Sequence, residues 1–317
     1  MKHKLIIIDG PCTVGKSSIS KHVFEQINRQ EEIYWLHEEC DAHPIREGEF
    51  SAGDFQTVEG MELNRDDMLK RWEAFRDDIL SREKICITEG CLIHSIDRYL
   101  IESLWTEEQI KEYFAQVIEI LKPVNPLIVF LHRPDMQSSY EKAFKARGDW
   151  WREIIMKEPE PVGYFEKHEY TGDKSMYGLL QYEQDLMASV FETFTCDKIK
   201  LDTTDEYWNE FTASIVEKAG YSFEEISFEC PPAELYCGEY CTDGMDGSWK
   251  INFDEEKGLI YSTLFWPYMP MKYIGDNCFE MVSFPVNMKF SHSEGETSFV
   301  VSGNYDWDLN DKVFIKE

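Results

Sequence analysis

The sequence predicts an α/β fold, a parallel sheet with helices on both faces, followed by a small antiparallel β-barrel or sandwich. Three observations lead to this prediction. A glycine-rich loop joins an apolar run, residues 5–9, to an amphipathic helix, and apolar strands and amphipathic helices then alternate to about residue 220. Beyond that point, short strands are separated by turns. The predicted domains are residues 1–220 and residues 221–317.

The loop after the first strand has the spacing of a phosphate-binding loop. Its residues are Gly10, Pro11, Cys12, Thr13, Val14, Gly15, Lys16, Ser17 and Ser18. Glycine permits backbone angles that turn N–H groups inward towards phosphate oxygens, and the positive end of the following helix dipole attracts the same anion. Lys16 would reach the β- and γ-phosphates, while the Ser17 hydroxyl would bind the metal ion. The motif therefore predicts ATP and Mg²⁺ as cofactors.

The composition limits the classes of molecule that this protein is expected to bind. The formal net charge is −29 over 317 residues, and a nucleic-acid backbone needs a basic surface, so we expect no nucleic-acid partner. No apolar run approaches the ~20 residues of a membrane-spanning helix, and no export signal opens the sequence, so we expect no membrane partner and a cytoplasmic location. The nine cysteines are then expected to be reduced thiols. The oligomeric state is left open.

The predicted second strand, residues 32–37, runs into an acidic cluster. Ligands of open α/β sheets bind beyond the carboxyl ends of strands, so an acceptor would meet the γ-phosphate here. A carboxylate, Glu39 or Asp41, would orient the acceptor hydroxyl or take its proton. Which residue of the range 38–41 acts as the base is left open. Glu38, Asp41 and His43 also allow a metal site, although their spacing is weak evidence for one.

A helix is predicted before the third strand. Asn64 is its candidate N-cap, and the helix runs to about Arg82. This helix carries a predicted buried stripe of Met68, Trp72, Phe75 and Ile79.

The third predicted strand, residues 84–89, ends in the carboxylate of Glu89. An acid at the end of a buried strand fits a Walker-B position, where it holds Mg²⁺ through water or positions the acceptor.

The later elements complete the alternation and add a basic cluster. A capping box at Thr106 and Gln109 opens a helix, and residues 126–131 form the most apolar strand. The next predicted helix carries the basic residues Lys142, Lys145 and Arg147, and Arg152 follows it. Phosphoryl transfer needs cations near the equatorial oxygens, and a lid supplies them on closing. Arg147 is the best candidate for this role, and the alternative is a solvated helix face.

The first 220 residues resemble the nucleoside and nucleotide kinases of the P-loop class. Ile8-Asp9-Gly10-Pro11 with Gly15-Lys16-Ser17-Ser18 is similar to the opening of cytidylate and thymidylate kinases. Leu131-His132-Arg133-Pro134-Asp135 and Lys145-Ala146-Arg147-Gly148 resemble the strand and lid segments of those enzymes. Glu38-Glu39 is similar in place to the acceptor-side carboxylate of deoxynucleoside kinases. The resemblance implies phosphoryl transfer to a small-molecule acceptor, with Glu39 or Glu38 as the base.

The C-terminal strands resemble a different module. Leu235-Tyr236-Cys237-Gly238-Glu239-Tyr240 is similar to the opening strand of the lipocalin-like β-module attached to some penicillin-binding-protein-like hydrolases. That resemblance implies a barrel and carries no catalytic residues. Four aromatic residues could either line a ligand cup or pack a core, and they are Phe265, Trp266, Tyr268 and Tyr273.

Two alternative functions stay open on the sequence. One is a regulatory or sensor P-loop NTPase that has no small-molecule acceptor. The other is an antibiotic-modifying kinase, because some such enzymes share this fold. The absence of an Asn-Lys-x-Asp guanine signature from the sequence disfavours a GTPase.

Overall fold

A computed structural model of the chain describes residues 2–40, 43–46, 57–94, 104–159, 163–229, 231–244, 248–282, 284–293, 295–303 and 309–317. The chain divides into two compact units. The first comprises Met1–Glu38, Ala42–Glu141 and Ile154–Glu224, and the second comprises Glu39–Asp41, Lys142–Glu153 and Glu225–Glu317. The first contains a parallel sheet with helices and the second contains a closed antiparallel barrel, so the predicted fold class is confirmed.

The parallel sheet places the first strand at its centre. Its strands are β1 (Leu5–Asp9), β2 (Ile33–Leu36), β3 (Ile85–Glu89), β4 (Pro126–His132) and β5 (Asp197–Asp202). Their order is β2-β3-β1-β4-β5, and every neighbouring pair is parallel. All residues of β1 and β3 are buried, as expected for strands covered on both faces. The segment that follows β1 therefore leaves the middle of the carboxyl edge, where ligands bind in such sheets.

Helices connect the strands. They are α1 (Lys16–Asn28), α2 (Val58–Ser81), α3 (Glu107–Leu121), α4 (Met136–Arg147), α5 (Asp149–Ile155), α6 (Tyr164–Lys167), α7 (Asp173–Glu192) and α8 (Trp208–Lys218). The predicted apolar face of α1 is buried against the sheet, with Ile19, Val23 and Ile27 fully inaccessible. No helix within the described ranges is both long enough and apolar enough to cross a membrane.

Helix α2 begins earlier than the sequence predicts. Its N-cap is Thr57, whose hydroxyl accepts a hydrogen bond from Gly60 N at 3.0 Å, so the predicted cap at Asn64 is wrong. Asn64 lies inside the helix and donates to the Gly60 carbonyl at 2.9 Å. Both residue types can cap a helix, and local sequence does not decide between them. The predicted buried stripe of α2 is confirmed. In α3 the predicted capping box between Thr106 and Gln109 is also present.

The second unit contains an up-and-down barrel of eight strands. They are β6 (Gly238–Cys241), β7 (Trp249–Asp254), β8 (Leu259–Ser262), β9 (Met269–Tyr273), β10 (Cys278–Met281), β11 (Val286–Ser293), β12 (Glu296–Gly303) and β13 (Val313–Lys316). Each strand pairs antiparallel with the next, and β13 closes the barrel on β6. Pro270 lies within β9, where a proline weakens the sequence signal of a strand.

Aromatic and methionine side chains pack the inside of the barrel. The largest buried ones are Tyr236, Tyr240, Phe279, Phe290, Phe299 and Phe314. The rings touch one another, with centroids 4.8 Å apart for Tyr236 and Phe279 and 4.7 Å apart for Phe299 and Phe314. An eight-stranded barrel is just wide enough for side chains to fill it. The interior of this barrel is therefore a core rather than a ligand cup.

We expect Phe299→Ala to destabilise the barrel strongly. Phe299 is 1% exposed on β12, so truncation leaves a cavity that costs about 3–5 kcal/mol of unfolding free energy. Phe253→Ala is the matched control, because Phe253 is 46% exposed on β7 of the same barrel. Urea unfolding measures both changes. Equal losses in the two variants would contradict a core centred on Phe299.

Candidate active site

The segment from Gly10 to Gly15, called here the glycine loop, has an unusual backbone. Gly10 and Gly15 have φ values of 145° and 93°, and Thr13 also has a positive φ of 75°. A Cβ atom on Gly10 would lie 2.2 Å from the Leu131 carbonyl oxygen, so only glycine fits there. The Thr13 conformation is rare for a residue with a side chain, and its hydroxyl lies 2.5 Å from that of Ser139 on α4.

Asp9 binds backbone N–H groups on two separate segments of the site. One of its carboxylate oxygens accepts a hydrogen bond from Gly10 N at 2.7 Å. The other accepts from Leu92 N at 2.7 Å and from Ile93 N at 3.0 Å. Burial raises the pKa of Asp9 to about 6, and Lys16 and the three N–H donors oppose a larger rise. The carboxylate is thus ionised at neutral pH and joins the glycine loop to the segment that follows β3.

Lys16 is buried at the first position of α1. The residue is only 6% exposed, and its Nζ donates to the Pro11 carbonyl oxygen at 3.1 Å. The Lys16 side chain is therefore not exposed in an open, solvent-filled cleft. Burial by itself would lower its pKa, but nearby acids, Glu38 above all, outweigh that effect and raise it. Lys16 therefore stays protonated beside the loop at neutral pH.

Ser17 and Glu89 meet where α1 begins and β3 ends. The Ser17 hydroxyl donates to Glu89 Oε1 at 3.1 Å, and His37 Nε2 lies 3.2 Å from the same oxygen. The Glu38 backbone N–H donates to it at 3.3 Å. Glu89 is fully buried, and within the described part of the chain its Oε2 has no hydrogen-bond partner. Burial and the charge of Glu38 raise the pKa of Glu89. This pair has the donor chemistry of a Mg²⁺ site.

Glu38, at the end of β2, completes the charged group. Its Oε2 lies 3.5 Å from Arg46 Nη1 and 3.6 Å from His94 Nε2. Burial would raise its pKa, but Lys16 and then His94 and Arg46 outweigh that effect, so the pKa is lowered. The His94 Nε2 also lies 3.6 Å from the Cys12 thiol of the glycine loop. Glu38 is therefore an ionised carboxylate close to Lys16 and His94.

Arg133 takes part in contacts that support the glycine loop. Arg133, which follows β4, is 8% exposed and pairs with Glu206 at 2.7 Å. Its Nε donates to the Thr203 hydroxyl at 3.3 Å, and that hydroxyl donates to the Val14 carbonyl oxygen at 2.9 Å. The guanidinium of Arg133 is thus used in holding β4 and β5 to the loop.

The predicted site residues fall into three groups. The glycine loop, Lys16, Ser17 and Glu89 are brought together in the first unit. Glu39 is exposed, and Asp41 lies outside the described residues. Arg147 belongs to the second unit, with its guanidinium 4.3 Å from the centroid of the Trp151 ring. The functions assigned to all these residues stay predictions.

Several contributors to the site were missed by sequence reasoning. Asp9 and His37 sit at or just beyond strand ends, where a buried polar residue is a usable signal. Arg46 and His94 lie in connecting segments, where no periodic pattern indicates which side chain turns inward. His43, considered as a metal ligand, instead accepts backbone hydrogen bonds at Nδ1 from Ile45 N and Arg46 N.

We expect Asp9→Asn to destabilise the first unit. An amide can accept from the donors on one side only, and its NH₂ group then faces a backbone N–H, so about 1–3 kcal/mol of unfolding free energy should be lost. Asp205→Asn is the control, because Asp205 is exposed in the same unit. Urea unfolding is the measurement. A variant as stable as wild type would mean that Asp9 does not hold these segments.

We expect Gly90→Ala to displace Glu38. Gly90 has a φ of +61°, and a Cβ atom there would lie 2.2 Å from Glu38 Oε2. Gly258→Ala is a matched control, because Gly258 has a φ of +63° with nothing within 4 Å of a Cβ atom. The control should lose about 1 kcal/mol of unfolding free energy through backbone strain alone. Gly90→Ala should lose more in urea unfolding, and equal losses would argue against close contact with Glu38.

Comparisons with known proteins give no family for the chain. No protein-family model matches it, and no curated protein matches it. Among solved structures it is similar to a GTPase in apo form from Pyrococcus abyssi, with 11% sequence identity and a TM-score of 0.27. The match covers 68% of this chain and 98% of the other.

Proposed function

We propose that this protein is a small-molecule kinase that uses ATP and Mg²⁺. The observation that carries the proposal is the meeting of Ser17 and Glu89 at 3.1 Å beside the glycine loop. The buried Glu89 Oε2, without a hydrogen-bond partner among the described residues, is the kind of atom that a divalent cation would satisfy. A cation next to a phosphate-binding loop is the arrangement that phosphoryl transfer requires.

The glycine loop would hold the phosphates of the nucleotide. Its positive-φ residues would allow backbone N–H groups to turn towards phosphate oxygens, and the N-terminus of α1 would add the favourable end of the helix dipole. Lys16, charged and already beside the loop, would bind the β- and γ-phosphates. Ser17 and Glu89 would hold Mg²⁺, which neutralises phosphate charge when bound.

Glu38 is the better candidate for the acceptor-side base. It is ionised and paired with His94 and Arg46, whereas the adjacent Glu39 is exposed. In the reaction, the bond between the γ-phosphorus and the β,γ-bridging oxygen breaks and the acceptor oxygen forms the new P–O bond. The acceptor proton passes to Glu38, and ADP leaves. Arg147 would supply a further positive charge to the transferring group.

An acceptor screen tests this function. Wild-type protein is given ATP and Mg²⁺ with nucleosides, nucleoside monophosphates or aminoglycosides, and ADP release is measured. A kinase releases ADP faster with one class of acceptor, and stimulation by aminoglycosides alone would indicate an antibiotic-modifying kinase. Slow ATP hydrolysis at the same rate with every acceptor would indicate a regulatory NTPase. Nucleotide binding without turnover would indicate a sensor.

We expect Lys16→Gln to lower the acceptor-stimulated rate at least about a hundredfold, because it removes the charge next to the phosphates. Lys21→Gln on the same helix is the matched control. Lys21 is also 6% exposed, so each variant removes one positive charge from a buried position on α1. Steady-state ADP release and thermal unfolding are measured for both. A Lys16→Gln protein that turns over at the wild-type rate would remove Lys16 from the mechanism.

A further inference from the structure

Thr13, in the middle of the glycine loop, has a backbone conformation that its own side chain opposes. Its φ is +75°, and a β-branched residue rarely adopts a positive φ. Gly10 and Gly15 adopt positive φ values in the same loop at little cost, because they have no Cβ atom. Backbone strain persists only where the surrounding structure imposes it, and it is concentrated at functional sites. A neighbouring group must therefore hold Thr13 in this conformation.

Ser139 of α4 contacts the Thr13 side chain. The two hydroxyl oxygens lie 2.5 Å apart, and either hydroxyl can be the donor. Ser139 is 4% exposed, and a buried hydroxyl is stable only when it has a hydrogen-bond partner. Both residues belong to the first compact unit. The hydrogen bond therefore joins the glycine loop to a buried position on the helix that follows β4.

The position of Ser139 is fixed by contacts between α4 and α7. The Gln181 side chain of α7 accepts a hydrogen bond from Met136 N, at the start of α4, at 3.3 Å. Gln184 of α7 is buried, and it accepts from Arg133 N at 2.9 Å and donates to the Arg133 carbonyl oxygen at 2.6 Å. These bonds hold the connection between β4 and α4. The first turns of α4 are thus held in place independently of the glycine loop.

A rotation of Thr13 to a negative φ would turn the adjoining peptide groups. The N–H groups of such a loop can bind phosphate oxygens only when they point to the same place. The ends of the loop are held by other contacts, because Gly10 N donates to Asp9 and the Val14 carbonyl oxygen accepts from Thr203. The cost of a left-handed conformation and the net gain from one hydrogen bond are similar in size. Loss of the Ser139 hydroxyl is therefore enough to change the preferred conformation of Thr13.

We propose that Ser139 is a positioning residue that holds Thr13 in its left-handed conformation and so preforms the glycine loop for the phosphates of a nucleotide. This inference rests on the proposed function, which supplies the nucleotide. A loop that is already ordered loses less conformational freedom on binding its ligand. The hydrogen bond between the two hydroxyls should therefore raise nucleotide affinity, with Ser139 acting through Thr13.

Calorimetric titration of the full chain with ADP and Mg²⁺ tests the inference. Ser139→Ala removes one hydroxyl, and the Kd for ADP should rise about three- to tenfold. Thr13→Val removes the other hydroxyl at nearly constant volume and should raise the Kd at least as much. The double variant Ser139→Ala/Thr13→Val should bind ADP as well as Thr13→Val alone, because both changes remove the same hydrogen bond. Losses that multiply, or an unchanged Kd in Ser139→Ala, would overturn the inference.

Glycine at position 13 gives a second test. Thr13→Gly removes the steric cost of a positive φ, so the loop no longer depends on Ser139. Adding Ser139→Ala to that variant should change the Kd for ADP by less than about twofold. A further loss of about threefold or more in this background would mean that Ser139 acts by a route other than the Thr13 backbone, and the inference would be wrong.

Ser138→Ala is the matched control for Ser139→Ala. Ser138 precedes Ser139 on the same helix, but it is exposed and its hydroxyl donates to Asp135 at 2.6 Å. This variant should keep the wild-type Kd for ADP, and a rise equal to that of Ser139→Ala would count against the inference. Thermal unfolding is measured for every variant. A lower thermal midpoint in Ser139→Ala with an unchanged Kd would indicate a purely structural role and would also overturn it.

The outcomes distinguish this inference from the kinase proposal. A wild-type protein that binds neither ADP nor ATP refutes the proposed function, and the inference fails with it. A wild type that binds ADP, with a Ser139→Ala variant that binds it equally well, refutes only the positioning role. Weaker binding by Ser139→Ala, with Ser138→Ala unchanged and no further loss in the Thr13→Gly background, supports that role.

Discussion

The site depends on the mutual neutralisation of charges buried at the carboxyl edge of the sheet. Lys16 is 6% exposed and Glu89 is fully buried, and an isolated ion in either place would cost several kcal/mol. The charge of Lys16 is offset chiefly by Glu38, while Glu89, whose pKa is raised, accepts hydrogen bonds from the Ser17 hydroxyl and the Glu38 backbone N–H. These contacts connect the ends of β2 and β3 with the start of α1.

Asp9 extends this dependence to the backbone. Its carboxylate binds the first N–H of the glycine loop and two N–H groups just beyond Gly90, so the loop and the Glu89 segment are fixed to one side chain. Electrostatic stabilisation of a transition state is most effective when the donors do not reorganise during the reaction. Under the proposed function, a loop fixed in this way, with Thr13 already in a rare conformation, would need little rearrangement to receive an anion.

The sequence predicts those parts of the fold and site that local spacing determines. The glycine loop, the buried stripe of α2 and the carboxylate that ends β3 follow from short patterns, and a parallel sheet brings strand ends to the same edge. The choice between Glu38 and Glu39 does not follow, because it depends on how the chain turns after β2. Asn is the better cap by residue type, yet α2 begins at Thr57, so residue type alone does not predict where this helix starts. The contact between Arg147 and Trp266 joins distant positions that no local pattern connects.

The two arginines Arg133 and Arg147 are held in different ways. Arg133 is buried, and its Nε and one Nη donate to Thr203 and Glu206. Arg147 has no such carboxylate beside it among the described residues. It is held instead by indole faces, and one of these, Trp266, comes from the barrel. Ring faces restrain the position of a guanidinium without occupying its hydrogen-bond donors. Within the second unit, the position of the Arg147 guanidinium is therefore restrained by ring faces.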